Sequence, residues 1–271
     1  MSLSLHDVSF AKSGATFSLS VEVGHSLCVV GLAASGRSQL LRMIAGIEPP
    51  ARGSIERPKL VAIPEPCNRR LRPQDLSHKK GANKALLATE VLSHLGLWDV
   101  RQKVVSELAP PQVTACDLVE VFMSGAELIV LDGQLDLLDP WVRVEALRLL
   151  RERCARGAIG VVATNNLDMA TQFDYLVVLK AGLPLYVGSV AELLRGRSQR
   201  SLVVESERSI GVRALVDPLL VDVAKTEGGY KLTPGPGQEH SARLLRDGYG
   251  DVRFIVSDEK SVTEVILGLV S

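Results

Sequence analysis

Short unbroken apolar runs punctuate this chain at Leu27–Val30, Leu128–Leu131, Ile159–Ala163 and Leu176–Leu179. Runs of this length, rich in Val, Ile and Leu, suit parallel strands covered on both faces. Between them the period changes. Ser38 to Ile47 places Leu40, Leu41, Ile44 and Ile47 at helical spacing. Trp141, Val144, Leu147, Leu150 and Cys154 repeat every three or four residues, while Arg143, Glu145, Arg148, Arg151 and Glu152 fill the solvent-facing positions. Strands alternating with helices predict a three-layer α/β core. Pro66 to Glu107 breaks the rhythm, polar and basic at first (Arg69, Arg70, Arg72, Lys79, Lys80) and then helical from about Asn83 to Leu97. It reads as part of an inserted helical subdomain over about residues 66–125.

Past Leu194 the polar stretch Arg195-Gly-Arg-Ser-Gln-Arg200 reads as a linker. Beyond it the pattern predicts a strand (Ser201–Glu205), a helix (about Ile210–Val216), two strands (Leu220–Ala224 and Gly229–Thr233), a Pro/Gly loop, a helix (Glu239–Asp247), a strand (Val252–Val256) and a last helix (Ser261–Val270). That order fits a small α+β domain with a split β-α-β pattern. The expected division is 1–197 and 198–271.

Composition narrows the function classes. The 271 residues are 46% hydrophobic, and 31 Lys and Arg balance 31 Asp and Glu, so a general nucleic-acid-binding role has no electrostatic support. No apolar run approaches the ~20 residues that cross a bilayer, and Met1-Ser-Leu-Ser-Leu-His6-Asp7 shows no basic-then-apolar leader pattern. A cytoplasmic protein is expected, touching a membrane only through a partner. Cys28, Cys67, Cys116 and Cys154 form no Cys-x-x-Cys pair, and none of the five histidines has ligand spacing. Reduced, mostly buried thiols are the expectation.

The candidate chemistry starts at Gly31-Leu-Ala-Ala-Ser-Gly36-Arg37-Ser38. Gly, four residues, Gly, Lys, Ser/Thr is the spacing of nucleoside-triphosphate-binding loops, whose backbone N–H groups wrap the phosphates while the hydroxyl holds Mg²⁺. Here Arg37 stands in place of the Lys. A predicted strand before the loop and a helix after it supply the expected context, and a helix N-terminus is an anion seat in its own right. About a hundred residues later comes Glu127-Leu-Ile-Val-Leu-Asp132-Gly133-Gln134-Leu-Asp136-Leu-Leu138-Asp139-Pro140, an apolar strand ending in a carboxylate.

Loop and strand together resemble the ATP-binding cassette (ABC) ATPases, a P-loop NTPase family, and Leu138-Asp139-Pro140 looks like their aspartate loop. Val161-Val-Ala-Thr164-Asn165-Asn166 is similar to their last core strand and switch-histidine segment, and Tyr175 to Gly182 to their final hairpin. The closing Ser261-Val-Thr-Glu264-Val-Ile-Leu-Gly-Leu is similar to the C-terminal appendage of exporter ATPases that serve ABC-2-type permeases.

Carried over position by position, the resemblance implies a phosphate cradle at Gly31, Ala34, Ser35, Gly36, Arg37, Ser38 and Gln39, with Mg²⁺ held by Ser38 and Asp132. The family's middle loop glycine falls on Ala34, where a left-handed backbone would cost ~1–2 kcal/mol. Arg37 keeps the charge but is a broad fork in place of a compact ammonium. The catalytic glutamate falls on Gly133, the switch histidine on Asn165 and the Mg²⁺-linking glutamine on Glu65. The adenine-stacking aromatic falls near Lys12, with Phe10 as its substitute if the register shifts. The signature segment reads Leu108-Ala109-Pro110-Pro111-Gln112, in which Pro110 and Pro111 delete two amide donors yet remain compatible with a helix start. Between Gly46 and Glu65 only a short link through Pro49, Pro50 and Gly53 remains, so a reduced adenine-side sheet is expected.

The resemblance therefore implies a degenerate ATPase subunit that binds ATP and Mg²⁺ weakly or not at all and hydrolyses poorly. It would sit on the inner face of the membrane beside an integral-membrane permease and a second ATPase subunit, identical or intact. Two alternatives stay open: an active divergent exporter ATPase in which Asp136 aligns the water, and a scaffold that binds no nucleotide. The cluster Arg69, Arg70, Arg72, Lys79 and Lys80 reads either as a surface for anionic lipid or an acidic permease loop, or as a solvated loop. The C-terminal domain is expected to dimerise or regulate.

Overall fold

The computed structural model describes residues 2–77, 82–195, 201–205, 222–226, 229–233, 253–257 and 262–270. Its centre is a six-stranded sheet built from β3 (Ser26–Gly31), β5 (Val61–Ala62), β6 (Leu128–Asp132), β7 (Ile159–Thr164), β8 (Tyr175–Lys180) and β9 (Leu183–Ser189), in the order β5-β6-β7-β3-β8-β9. All neighbours run parallel except the β8–β9 hairpin. Its turn, Ala181-Gly182, has positive φ at both residues (50° and 76°), the backbone twist a two-residue hairpin turn favours.

The apolar runs form strands because both faces are covered. Ile159, Val161 and Ala163 pack with Leu27, Val29, Leu128 and Val130 against Leu40, Leu41 and Ile44 of α1 (Arg37–Ala45). The intervening Gly160 faces the other way, where an added Cβ would stand 3.0 Å from Leu150 and 3.2 Å from Cys154 Sγ of α4 (Pro140–Ala155). The two helices thus cover opposite faces, which is the three-layer arrangement read from the sequence.

Over α1 lies a second, antiparallel sheet of β1 (Leu3–Ser9), β2 (Phe17–Val21) and β4 (Arg52–Glu56), in the order β2-β1-β4. Leu3, Leu5, Val8, Phe17 and Val21 join the same core. The stretch expected to be only a link thus contributes a strand, Leu5 pairing with Ile55.

The segment between β5 and β6 holds the 3₁₀ turn Pro73–Ser77, α2 (Ala82–His94), the 3₁₀ turn Val105–Glu107 and α3 (Pro110–Met123). Ala115, Leu118, Val119 and Phe122 of α3, three or four residues apart along the helix, are buried. His94, at the end of α2, is hydrogen-bonded to Glu145 of α4.

Three apolar positions are corrected. Ile47 is 59% exposed because α1 ends at Ala45 and Gly46 turns left-handed (φ 80°), so the chain leaves the core before the next helical turn. Trp141 (86% exposed) and Val144 (58%) point outward near the start of α4, whose core face is Ala146, Leu147, Leu149, Leu150 and Cys154.

Chain contacts divide the molecule into Met1–Val190 with Leu269–Ser271, and Ala191–Gly268. After α5 (Leu167–Ala170) and α6 (Val190–Arg195), the second unit carries β10 (Ser201–Glu205), β11 (Asp222–Thr226), β12 (Gly229–Thr233), β13 (Arg253–Ser257) and α7 (Val262–Val270). Its sheet is antiparallel throughout in the order β11-β12-β10-β13, and β11 begins two residues later than its apolar pattern suggested. The helices expected at 210–216 and 239–247, the stretch 196–200, and Lys79 and Lys80 lie outside the described residues.

Candidate functional site

Register brings the site together. β3 and β7 pair so that Val30 lies beside Thr164, and β6 and β7 so that Asp132 lies beside Ala163. The loop leaving Gly31, the carboxylate ending β6 and the polar end of β7 therefore share the carboxyl edge of the sheet, where ligands of open α/β folds bind.

The loop is tightly built. A Cβ on Gly31 would overlap the carbonyl oxygen of Leu179 and stand 2.5 Å from Ser35 Oγ. Ser35 is 2% exposed, its N–H donates to Leu32 O at 3.1 Å, its carbonyl accepts from Gly182 N–H at 2.9 Å, and its buried hydroxyl has no partner. Gly36 (φ 99°) turns the chain into α1, with the Phe10 ring 3.3 Å from where its Cβ would be. Phe10, and not the exposed Lys12, is thus the aromatic residue at the loop. No side chain caps α1, and its first intrahelical bond is Leu40 N–H to Gly36 O at 2.9 Å. The amides of Arg37, Ser38 and Gln39 belong to the first turn, which has no carbonyl of its own helix to bond. The cradle, the open amide turn and the buried hydroxyl fit a phosphate-bearing ligand.

Ala34 holds φ 58°, a left-handed conformation that costs an L side chain ~1–2 kcal/mol. Ala34→Gly is expected to stabilise the protein by about 0.5–1 kcal/mol, the relief of strain less the entropy of a freer unfolded chain. A urea midpoint that stays put or falls contradicts this.

Beyond the cradle, protein groups satisfy one another. Ser38 Oγ donates to Asp132 Oδ1 at 3.1 Å, so the hydroxyl–carboxylate pair expected to hold Mg²⁺ is assembled. Arg37 reaches across the strand ends and donates from Nη1 to the carbonyl of Thr164 at 2.7 Å. Thr164, 1% exposed, donates its hydroxyl to Asp136 Oδ1, and Asn165 N–H donates to Asp136 Oδ2 at 2.8 Å. Both oxygens of the alternative carboxylate are therefore engaged in fixing the end of β7.

Gly133 adopts φ 82°, donates its N–H to Ala163 O at 3.1 Å and starts the 3₁₀ turn Gln134–Leu137. That turn is clamped by Arg143, whose Nε donates to Leu135 O at 2.8 Å and whose Nη2 donates to Asp136 O and Leu138 O at 3.2 Å each. Arg143, assigned to the wet face from its spacing, is half-buried in this role. Helical period alone could not place its guanidinium on a preceding turn. Glu65 is exposed just past β5, and Cys67 N–H anchors that segment to Asp117 of α3 at 2.8 Å.

At the signature position, α3 begins at Pro110 with Ala109 extended before it, and Gln112 Oε1 accepts from Ala109 N–H at 3.2 Å. Gln112 thus caps its own helix. Leu108 is half-buried, and Pro110 and Pro111 offer no amide there.

A cavity of about 200 Å³ lies at the opposite, amino end of the strands, lined by Ser26, Leu147, Arg151, Cys154, Phe173 and Asp174 among others. Asp174 already accepts from Ser26 N–H and Oγ at 2.8 Å each, and Arg151 is bonded to Gln172. The charged side chains that line it are thus engaged within the protein.

No cluster of three or more His, Cys, Asp or Glu able to hold a metal occurs among the described residues. Burial pushes the thiol of Cys28 well up, that of Cys67 up to about 12, helped by Asp117, that of Cys116 up to about 12, and that of Cys154 up to about 11. These groups stay neutral at about pH 8, where a thiol reagent attacks only thiolate. The native protein is expected to label slowly at all four cysteines and at once when unfolded. A fast native equivalent contradicts this.

A glycine-cradled loop feeding a helix at the carboxyl edge of a mainly parallel sheet defines a P-loop NTPase fold. Residues 15–135 match the sequence profile of the family described as ABC transporter. The chain is 26% identical over 204 residues to the methionine import ATP-binding protein MetN of Corynebacterium efficiens, covering 65% of this chain and 57% of that one. It is 26% identical over 229 residues to the aliphatic sulfonates import ATP-binding protein SsuB 2 of Frankia alni (80% and 91%). It is 31% identical over 205 residues to the ABC transporter ATP-binding protein RamB of Streptomyces coelicolor (66% and 33%). It thus spans little more than half, or a third, of two of these relatives. Two solved structures share the fold: an ATP-binding subunit of an ABC transporter (TM-score 0.59, 19% identity, 72% of this chain and 93% of that one) and a nucleotide-free ATP-binding cassette (TM-score 0.55, 17%, 70% and 92%). The chain is thus similar to the ABC transporter family over residues 15–135 and shares the fold of its solved ATP-binding subunits.

Proposed function

We propose that this chain is a subunit of an ABC transporter-type complex, docked beside a permease on the inner face of the membrane, which hydrolyses ATP poorly and serves its partners structurally or as a regulator. The carrying observation is the contrast within the site. The cradle and the Ser38–Asp132 pair remain, while the residue after Asp132 is a left-handed glycine and the nearby Asp136 has both oxygens bonded within the protein. Mg²⁺, when bound at Ser38 and Asp132, supplies charge neutralisation to the phosphates. This chain's part is to seat and orient them.

The same bonds weigh against the reading in which Asp136 aligns a water. A scaffold with no nucleotide site leaves unexplained a loop that retains a strained Ala34 and an uncapped helix. No helix among the described residues is long and apolar enough to cross a membrane, so membrane attachment runs through a partner in this proposal. A second ATPase subunit, identical or intact, completes the complex. The exporter assignment rests on the C-terminal segment Ser261–Val270, whereas two of the named relatives are import proteins.

Affinity isolation of the tagged full chain from native membranes tests the subunit role. The expected result is stoichiometric recovery of an integral-membrane permease. Recovery of the chain alone from mild detergent and from the soluble fraction overturns it. Vesicles reconstituted with that permease then read the direction of transport.

A further inference from the structure

We infer that the site takes a Mg²⁺-bound nucleoside diphosphate in preference to the triphosphate, and that Arg37 sets this preference. The inference deepens the proposed function and rests on its assignment of the loop as a nucleotide seat.

The seat itself suits two phosphates. It offers the open first turn of α1, the glycines Gly31 and Gly36 before it and the Ser38–Asp132 pair for the metal. What lies past the seat does not suit a third. The Arg37 side chain leaves the first turn of α1 and fastens to the carbonyl of Thr164, spanning the ends of β3 and β7 at 2.7 Å from its acceptor. It thus lies across the strand ends, with its guanidinium tied to the end of β7. Its fork can turn one face to the terminal oxygens of a diphosphate without leaving Thr164, because a guanidinium has five donors in a fixed plane.

Electrostatics works in the same direction. Glu65 follows β5, Asp132 ends β6, and Asp136 is held against the end of β7 by Thr164 and Asn165. Asp132 and Asp136 thus stand at the carboxyl edge with Arg37, whose guanidinium is already tied to a carbonyl. Another phosphate would add negative charge to that edge and would have to displace Arg37 from a buried acceptor, leaving Thr164 O without the bond. A lysine has a compact ammonium that swings freely and cannot hold the carbonyl and a phosphate in one plane.

Calorimetric titration of the full chain with Mg-ADP and Mg-ATP, for the native protein, Arg37→Lys and Arg37→Ala, tests the inference. The native chain is expected to bind Mg-ADP at least about ten-fold more tightly than Mg-ATP, and both variants to bring the two affinities within about three-fold. Equal or tighter binding of Mg-ATP by the native chain overturns the inference, as does a preference that survives in both variants, each checked for native thermal unfolding. Binding of neither nucleotide also overturns it, and leaves the subunit role standing on the membrane isolation.

Discussion

Purified chain incubated with Mg-ATP is expected to release phosphate no faster than its Asp132→Asn variant. On the proposed reading the reason is that no base is placed beside Asp132. General acid–base assistance contributes ~10²–10⁴-fold to such reactions, and the position after Asp132 carries no side chain. Asp136 cannot take over while its carboxylate accepts from Thr164 Oγ1 and Asn165 N–H. Gly133→Glu alone is expected to fail as a repair. An added Cβ there meets nothing within 4 Å, so space is not the obstacle. The backbone is, since φ 82° in a non-glycine residue costs ~1–2 kcal/mol, and the Ala163 bond together with the Arg143 clamp holds the turn in that shape. The variant should lose about 1 kcal/mol of stability and gain no turnover. Asp136→Asn separates the remaining alternative. It should lower stability by about 1.5–3 kcal/mol through the lost charged acceptor, with phosphate release unchanged at background. Native turnover of about one per second or more, abolished by Asp136→Asn, would show that Asp136 is the base after all.

Much of the fold was legible because the central strands are buried on both sides, so Cys28, Ile129 and Val162 are as apolar as their inward-facing neighbours. The edge strand Arg52–Glu56 escaped notice because four of its five residues are exposed and only Ile55 packs inward. Periodicity also assigned faces past the point where helices touch the core, which is why Ile47, Trp141 and Val144 went astray. At the site, the loop and Asp132 could be read because spacing along the chain fixes them. The bonds that decide what the site can do join residues far apart: Arg37 with Thr164, Thr164 with Asp136, and Asn165 with Asp136. No local pattern announces such pairs. Nor does sequence distinguish a glycine that has lost a carboxylate from one whose backbone has moved to a shape a glutamate resists. Gly133 is both.

Gly31→Ala is expected to destabilise the chain by about 3 kcal/mol or more, the upper range for forcing a methyl into a packed site. Its Cβ would meet backbone, the carbonyl oxygen of Leu179, as well as Ser35 Oγ at 2.5 Å and Ser35 Cβ at 3.0 Å. The side chain of Ser35 can rotate only within a pocket where it is 2% exposed, and its neighbouring groups are pinned by the Leu32 and Gly182 bonds. Leu179 cannot retreat either, because it lies in β8 beside Gly31 in the parallel register and within the main core. The strain therefore falls on the junction of strand and loop, and relief requires the loop to lift from the sheet edge. Stability and ligand seating should fail together: the urea midpoint drops and any heat of Mg-ADP binding disappears. Ala34→Gly, three residues away in the same loop, should move the midpoint in the opposite direction. If both substitutions shift stability alike, or Gly31→Ala melts with the native protein, the loop does not hold the close-packed geometry on which the anion seat depends.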